Sequence, residues 1–301
     1  MQNTERHRPL TWLLVNQASG SNDPARVTAL VEALDAAGHA PQRVVTLPTD
    51  DLPTIAELDA AGVGLLVIFT GDGTVNAAVA TLSGPKLSGT GLSGSGLQGR
   101  GGRVLVLPGG TQNLLAKACH GDLGELDIVA RLAAGRLVET HRNLIRTAHG
   151  DALCEVLAGP GAHWSDVREA MREGDLGAMA ASVGTAIGQS AAGPQVAVVD
   201  PARGKPEGYP AVRIHLGEQA LAIDGYGAEG LGDYAMQGLA LLKRDFREGP
   251  HEQLGTAPAV VCRSSEPIEL MIDGERATGT VEERFEFAQC EVVFLCAAGQ
   301  R

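Results

Sequence analysis

The chain is short of aromatic residues, of basic charge, of paired cysteines and of long apolar runs, and each shortage closes a class of function. Only 3% of its 301 residues are Phe, Trp or Tyr, so the core must be built from Leu, Val and Ala. Lys and Arg number 24 against 36 Asp and Glu, a formal net charge of -12. That balance leaves no basic footprint from which nucleic acid would release counterions, and no strong electrostatic pull toward anionic lipid. The five cysteines (Cys119, Cys154, Cys262, Cys290, Cys296) are odd in number and form no CxxC pair. They read as buried free thiols in a reducing compartment. The first residues, MQNTERHRPL, lack the apolar core of a signal peptide. No run approaches the roughly 18 apolar residues that span a bilayer. The expectation is a cytoplasmic protein that meets a membrane only peripherally and transiently.

What is present suffices for a real core: 44% hydrophobic and 20% charged residues, in a length that fits one large or two modest domains. Leu10 to Val15 (LTWLLV) reads as a strand. Pro24 to Ala37 carries Val27, Leu30, Val31 and Leu34 at helical spacing, with Gly38 as its cap. Gln42 to Leu47 is a second strand, and Asp50 to Ala61, with Pro53 near its start, a second helix. Gly64 to Phe69 (GLLVIF) and Val104 to Leu107 (VLVL) read as buried parallel strands, followed by helical patterns from Ala77 to Leu82 and from Leu114 to Cys119. Leu123 to Ala134 is a further helix. This alternation predicts a parallel sheet with helices on both faces.

Near residue 142 the pattern changes. Strand-like pieces follow at Ala152–Ala158, Gln195–Val199, Ala211–Leu216, Gln219–Ile223, Ala259–Cys262, Pro267–Ile272 and Glu291–Cys296, with one helical stretch from Trp164 to Gly188. They predict an antiparallel β domain. The division is thus 1–142, an α/β domain of Rossmann-like three-layer type, and 143–301, mainly an antiparallel β-sandwich, with a C-terminal tail that can return to the first domain. The segment Ser83 to Gly102, rich in Gly and Ser, reads as a surface insertion.

Chemistry concentrates where two of the parallel strands end. Thr70-Gly71-Asp72-Gly73-Thr74-Val75-Asn76 and Leu107-Pro108-Gly109-Gly110-Thr111-Gln112-Asn113 each place glycines between a strand and a helix. Backbone N–H groups left open there, with the helix dipole behind them, make a seat for phosphate. Two such seats suggest a nucleotide polyphosphate across neighbouring strand ends. Gly71 and Gly73 allow close backbone approach, and Thr74 and Thr111 supply hydroxyls. Asp72 beside a polyanion needs a cation between them, which makes it a Mg²⁺ contact through water; the alternative is an Asp capping the helix that follows. Asn113 either holds its loop or touches ligand. Asn16 and Ser19 either face the adenine–ribose side or only close a turn.

These segments resemble known motifs. Gly71-Asp72-Gly73-Thr74-Val75-Asn76 resembles the GGDGTxNE signature of the diacylglycerol kinase and sphingosine kinase superfamily. Pro108-Gly109-Gly110-Thr111-Gln112-Asn113 resembles its P-x-GTxN segment, Val15-Asn16-Gln17-Ala18-Ser19-Gly20 its NPxSG, and Ile272-Asp273-Gly274-Glu275 its DGE. The four occur in family order from Asn16 to Glu275. The resemblance implies an ATP-dependent lipid kinase that uses Mg²⁺ and takes a diacylglycerol-like or sphingoid lipid from a membrane surface. Its site would lie in a cleft between two domains. It implies nucleotide contacts at Asn16, Ser19, Thr46, Gly71, Asp72, Gly73, Thr74, Asn76, Gly110 and Thr111, and catalytic roles for Asp72 and Glu275, the latter as general base. Read from the residues alone, Asp273-Gly274 is an ordinary hairpin turn with solvent-facing acids. Val156 to Val167 resembles the glycine-rich stretch on the substrate side, with His163, Trp164 and Ser165 departing from it. Thr70, Ala77, Leu114 and Gln17 also depart from the family pattern, and Gln237 stands where an acid of the structural-Mg²⁺ segment is expected; that second metal is not predicted. Rival readings are an NAD kinase, which shares GGDGT, and a catalytically silent nucleotide- or lipid-binding protein.

Overall fold

The computed structural model describes residues 10–19, 23–83, 102–159, 193–226 and 251–299. Most of the Ser83–Gly102 insertion, the Trp164–Gly188 stretch with His163, and nearly all of Gly225–Leu242 lie outside these residues. The chain divides into two compact units, Met1–Asn143 with Gln289–Arg301, and Leu144–Ala288.

The first unit runs β1 (Leu10–Asn16), α1 (Pro24–Ala36), β2 (Pro41–Leu47), α2 (Ile55–Ala61), β3 (Val63–Thr70), α3 (Asp72–Leu82), β4 (Arg103–Pro108), α4 (Leu114–His120), α5 (Glu125–Ala133) and most of β5 (Leu137–Arg146). β2, β1, β3 and β4 lie side by side in that order, all parallel. The continuous apolar runs are buried on both sides, as central parallel strands require: every residue of Leu65–Thr70 is buried. Leu13, Val15, Leu65, Val67, Phe69, Leu105 and Leu107 share one core with Leu30 and Leu34 of α1 and Ile128 and Val129 of α5. The alternate residues Leu14, Leu66, Ile68, Val104 and Val106 are equally buried, and α3 and α4 bury Val75, Val79, Leu82 and Leu115 apart from that cluster. Helices therefore line both faces.

The second unit contains β6 (Glu155–Ala158), β7 (Ala197–Asp200), β8 (Ala202–Arg203), β9 (Ala211–Leu216), β10 (Leu221–Tyr226), β11 (His251–Ala257), β12 (Ala259–Arg263), β13 (Glu269–Ile272), β14 (Glu275–Thr278) and the first half of β15 (Glu282–Ala297). Six strands form an antiparallel sheet in the order β11-β10-β9-β6-β13-β14. β15, β12, β7 and β8 pair antiparallel in a second layer. Val156, Ile214, Ile223 and Leu270 of the first layer share a core with Val198, Val260, Cys262 and Phe285 of the second. The fold is thus an α/β unit with a parallel sheet and an antiparallel β unit.

Several boundaries differ from the sequence expectation. α3 begins at Asp72, directly after its N-cap Gly71, and not at Ala77; the glycine loop is the first turn of a helix. α2 begins at Ile55, where Thr54 and Glu57 form a capping box, and not at Asp50. β15 runs sixteen residues where only Glu291–Cys296 was expected. Its first half buries Glu283 and Phe285 in alternation, and its second buries Phe294, Leu295, Cys296 and Ala297 continuously. One strand serves two environments, and Phe294 pairs in parallel with Val104 in the first unit. No helix among the described residues is long and apolar enough to cross a membrane.

Candidate active site

The C-terminal ends of β1, β3 and β4 carry three short loops into one place. A parallel sheet puts such ends side by side, and here the backbones touch. A Cβ added at Gly110 would sit 2.5 Å from the Cα of Gly71 and 3.3 Å from Asn113 Oδ1. Glycine at position 110 is therefore a packing requirement, since a side chain there would run into the Gly71 backbone. The first loop joins them. Gly71 N–H donates to Ser19 Oγ at 3.2 Å, and Asn16 Nδ2 donates to Thr74 Oγ1 at 2.9 Å. Asn16 also accepts from Ala18 N–H at 2.9 Å.

Each loop is held by its own polar residues. Asn113, in the left-handed conformation at φ 56, accepts from Gly110 N–H at 2.6 Å and donates back to the Gly110 carbonyl at 2.9 Å. Its side chain thus closes the loop. Thr46 lies at the end of β2, paired with Val15 of β1. Its N–H donates to Asp50 Oδ2 at 2.7 Å, and Asp50 N–H donates back to the Thr46 carbonyl at 2.8 Å. The sequence reading takes Asp50 for a helix start; a carboxylate four residues after a strand-end threonine instead closes this turn.

α3 gives the place its electrostatic character. No side chain caps its N-terminus at Gly71. The first amides of a helix have no intrahelical acceptor, and the helix dipole adds positive potential there. Asp72, in that first turn, does not cap α3; its Oδ1 accepts from Leu115 N–H at the start of α4, a long contact of 3.4 Å. Gly73, Thr74 and Asn76 follow on the same helix, half-buried, and Thr111 is exposed on the second loop. The structure brings Asn16, Ser19, Gly71, Asp72, Thr74 and Gly110 together through these contacts.

Behind the loops, α4 ends at His120, which is 2% exposed. Burial pushes its imidazole down to about 4, with the charges of Arg131 and Arg142 adding to the effect. Arg142 also donates to the Ala118 carbonyl at 3.1 Å. A hydrogen bond with Cys119 draws the buried Cys296 thiol down to about 7 against the opposing effect of burial.

Glu275 belongs to the second unit. It opens β14, exposed to solvent, and pairs with Ile272 across the hairpin turn. Asp273 and Gly274 both have positive φ, 45 and 94, the backbone of a tight two-residue hairpin. Asp273 is not solvent-facing, which corrects the expectation for the turn. It is 3% exposed, and its carboxylate accepts from the backbone N–H groups of Leu153, Cys154 and Glu155. The turn that carries Glu275 is thereby anchored to the segment leading into β6.

The residues present fit a nucleotide phosphate with one divalent metal. Open helix amides, two hydroxyls and a close-packed glycine crossing suit the phosphate. Among the described residues no group of three or more His, Cys, Asp or Glu could hold a metal ion. A lone Asp72 carboxylate matches Mg²⁺, which is usually held by one or two carboxylates, water and the substrate's own phosphates.

No curated protein sequence matches the chain. A solved structure of a diacylglycerol kinase from Bacillus anthracis is 15% identical, covers 98% of this chain and 99% of its own, and superposes with a TM-score of 0.64. Two further structures from the same bacterium are each 16% identical with a TM-score of 0.60, covering 97% and 96% of this chain and 99% and 98% of their own. At that identity these likenesses establish the shared fold. Residues 11–145 match the model of the diacylglycerol kinase catalytic domain, and they contain every contact of the three-loop site.

Proposed function

We propose that this protein is an ATP-dependent lipid kinase that transfers the γ-phosphate to a hydroxyl of a diacylglycerol-like or sphingoid lipid at a membrane surface. The observation that carries this reading is the junction of Asn16, Ser19, Gly71, Thr74 and Gly110 at the uncapped start of α3, inside the region that matches the diacylglycerol kinase catalytic domain. In this reading the first amides of α3 and the hydroxyls of Ser19 and Thr74 bind the polyphosphate. Thr46, Asn76 and Thr111 complete the nucleotide contacts. Asp72 holds Mg²⁺ through water. The metal, when bound, neutralises charge on the phosphate oxygens.

Glu275 takes the proton from the lipid hydroxyl as general base. The hydroxyl oxygen bonds to the γ-phosphorus while the bond to the bridging oxygen breaks, and ADP leaves with the electron pair. Asp273 keeps the hairpin turn under Glu275 fixed. The test is transfer from γ-labelled ATP, with Mg²⁺, to diacylglycerol, to a sphingoid base and to NAD in parallel. Label in one of the lipids supports the proposal and identifies the acceptor. Label only in NAD moves the activity to the small-molecule kinases, and ATP binding without transfer to any acceptor rejects the enzyme.

A further inference from the structure

The loop after β1 restricts where two hydroxyl protons point. Ala18 N–H can only donate, so the Asn16 atom that meets it at 2.9 Å is the carbonyl oxygen Oδ1. The other terminus of Asn16 is then the NH2 group, and it donates to Thr74 Oγ1. In the same way Gly71 N–H can only donate, and it occupies a lone pair of Ser19 Oγ. Each hydroxyl thus receives one fixed hydrogen bond, and its own proton is turned away from that donor. Among the described residues no acceptor takes either proton.

We infer that Asn16 is a positioning residue that holds the Thr74 hydroxyl as a donor. Together with the Ser19 hydroxyl, which accepts from Gly71, it biases the seat toward donating to an acceptor-only oxyanion, the polyphosphate of the nucleotide, and acts through Thr74 without touching the base or ribose. Phosphate oxygens near neutral pH accept and do not donate, and their bonds from O–H are short and strong. The Asn16 amide takes one lone pair of Thr74 Oγ1 and so narrows the rotation of that hydroxyl, turning its proton toward the open side of the seat. This inference rests on the proposed reading of the site as a nucleotide seat.

The test is calorimetric titration of the full chain with ATP and, separately, with inorganic tripolyphosphate, both with Mg²⁺, across wild type, Asn16→Ala, Thr74→Val and the double variant. A hydrogen bond to a charged group is worth roughly ten- to a hundredfold in affinity, so Thr74→Val loses about that much for both ligands. Asn16→Ala weakens both by about five- to tenfold, the neutral hydrogen-bond range. The double variant binds no more weakly than Thr74→Val alone, because residues that act as a unit are not additive. Thr74→Ser, which keeps the hydroxyl, restores affinity and restores sensitivity to Asn16→Ala. That rescue separates the proton-orienting role from a loss of folding. Additive losses in the double variant overturn the inference, and so does an Asn16→Ala that weakens ATP but not tripolyphosphate, since Asn16 would then touch the base or ribose. A wild type that binds neither ligand overturns the nucleotide reading itself and the inference with it.

Discussion

Replacing Gly110 with alanine probes the loop crossing directly. The added Cβ would lie 2.5 Å from Gly71 Cα and 3.3 Å from Gly71 N, both backbone atoms. Ordinary carbon contacts begin near 3.5 Å, so the two loops must part by roughly 1 Å. Overpacking of this kind costs about 1–3 kcal/mol. In a unit of this size that lowers the melting midpoint by about 2–4 °C for each kcal/mol. The same displacement separates the amides of α3 from the second loop, and a shift of about 1 Å in a positioned site costs on the order of a hundredfold in rate. Gly71→Ala is the internal control. Its Cβ would meet Ser19 Oγ at 3.5 Å and Gly110 Cα at 3.6 Å, ordinary contact distances. The backbone at Gly71 has φ -80, which any residue adopts. Its cost is the loss of a glycine N-cap, about 1 kcal/mol at most. Urea denaturation of the two variants gives the comparison, with ATP titration for Gly110→Ala. A Gly110→Ala protein with wild-type stability and affinity, or a Gly71→Ala protein destabilised as severely, would refute the crossing.

Removing the Asp273 carboxylate by Asp273→Ala takes the acceptor from the N–H groups of Leu153, Cys154 and Glu155; two of these bonds are buried, and at about 1–3 kcal/mol for each buried unsatisfied donor a loss of at least ~2 kcal/mol in urea denaturation is expected, while a loss below ~1 kcal/mol would contradict the anchoring. His120 makes stability depend on acid. Its folded-state value of about 4 lies below the ordinary 6.5, so the unfolded chain takes the proton first and stability, intact above pH 6.5, falls as the pH drops toward 4. The shift corresponds to on the order of 3 kcal/mol. His120→Gln should flatten that part of the stability profile, and an unchanged slope would show that His120 is not buried neutral.

The parts of the fold most directly legible in the sequence include those whose burial is uniform. β1, β3 and β4 are continuous apolar runs because both of their faces are covered, and that needs no knowledge of partners. β5, β11, β14 and the first half of β15 are polar on one side, and their sequences (LVETHRNLIR, HEQLGTA, ERAT, EERFEFAQ) resemble loops until a neighbour supplies hydrogen bonds. The glycine motifs were visible because glycine between strand and helix has few other uses. What they do to one another was not. Asn16 and Thr74 are 58 residues apart and Ser19 and Gly71 are 52, so those bonds exist only once the sheet has set β1 beside β3. Asp273 shows the same limit: Asp-Gly announces a turn, but whether the carboxylate faces water or the amides at residues 153–155 is decided by a segment about 120 residues earlier.

The measurement that tests the central claim most directly is transfer of label from γ-labelled ATP, with Mg²⁺, into total extracted membrane lipids by wild type, Asp72→Ala and Glu275→Gln. The account predicts one labelled lipid class with the wild type, reduced by at least about a hundredfold in each variant, the scale expected of a lost general base, while folding of both variants is retained. Absence of labelled lipid with a wild type that binds ATP, or undiminished labelling by either variant, would contradict it.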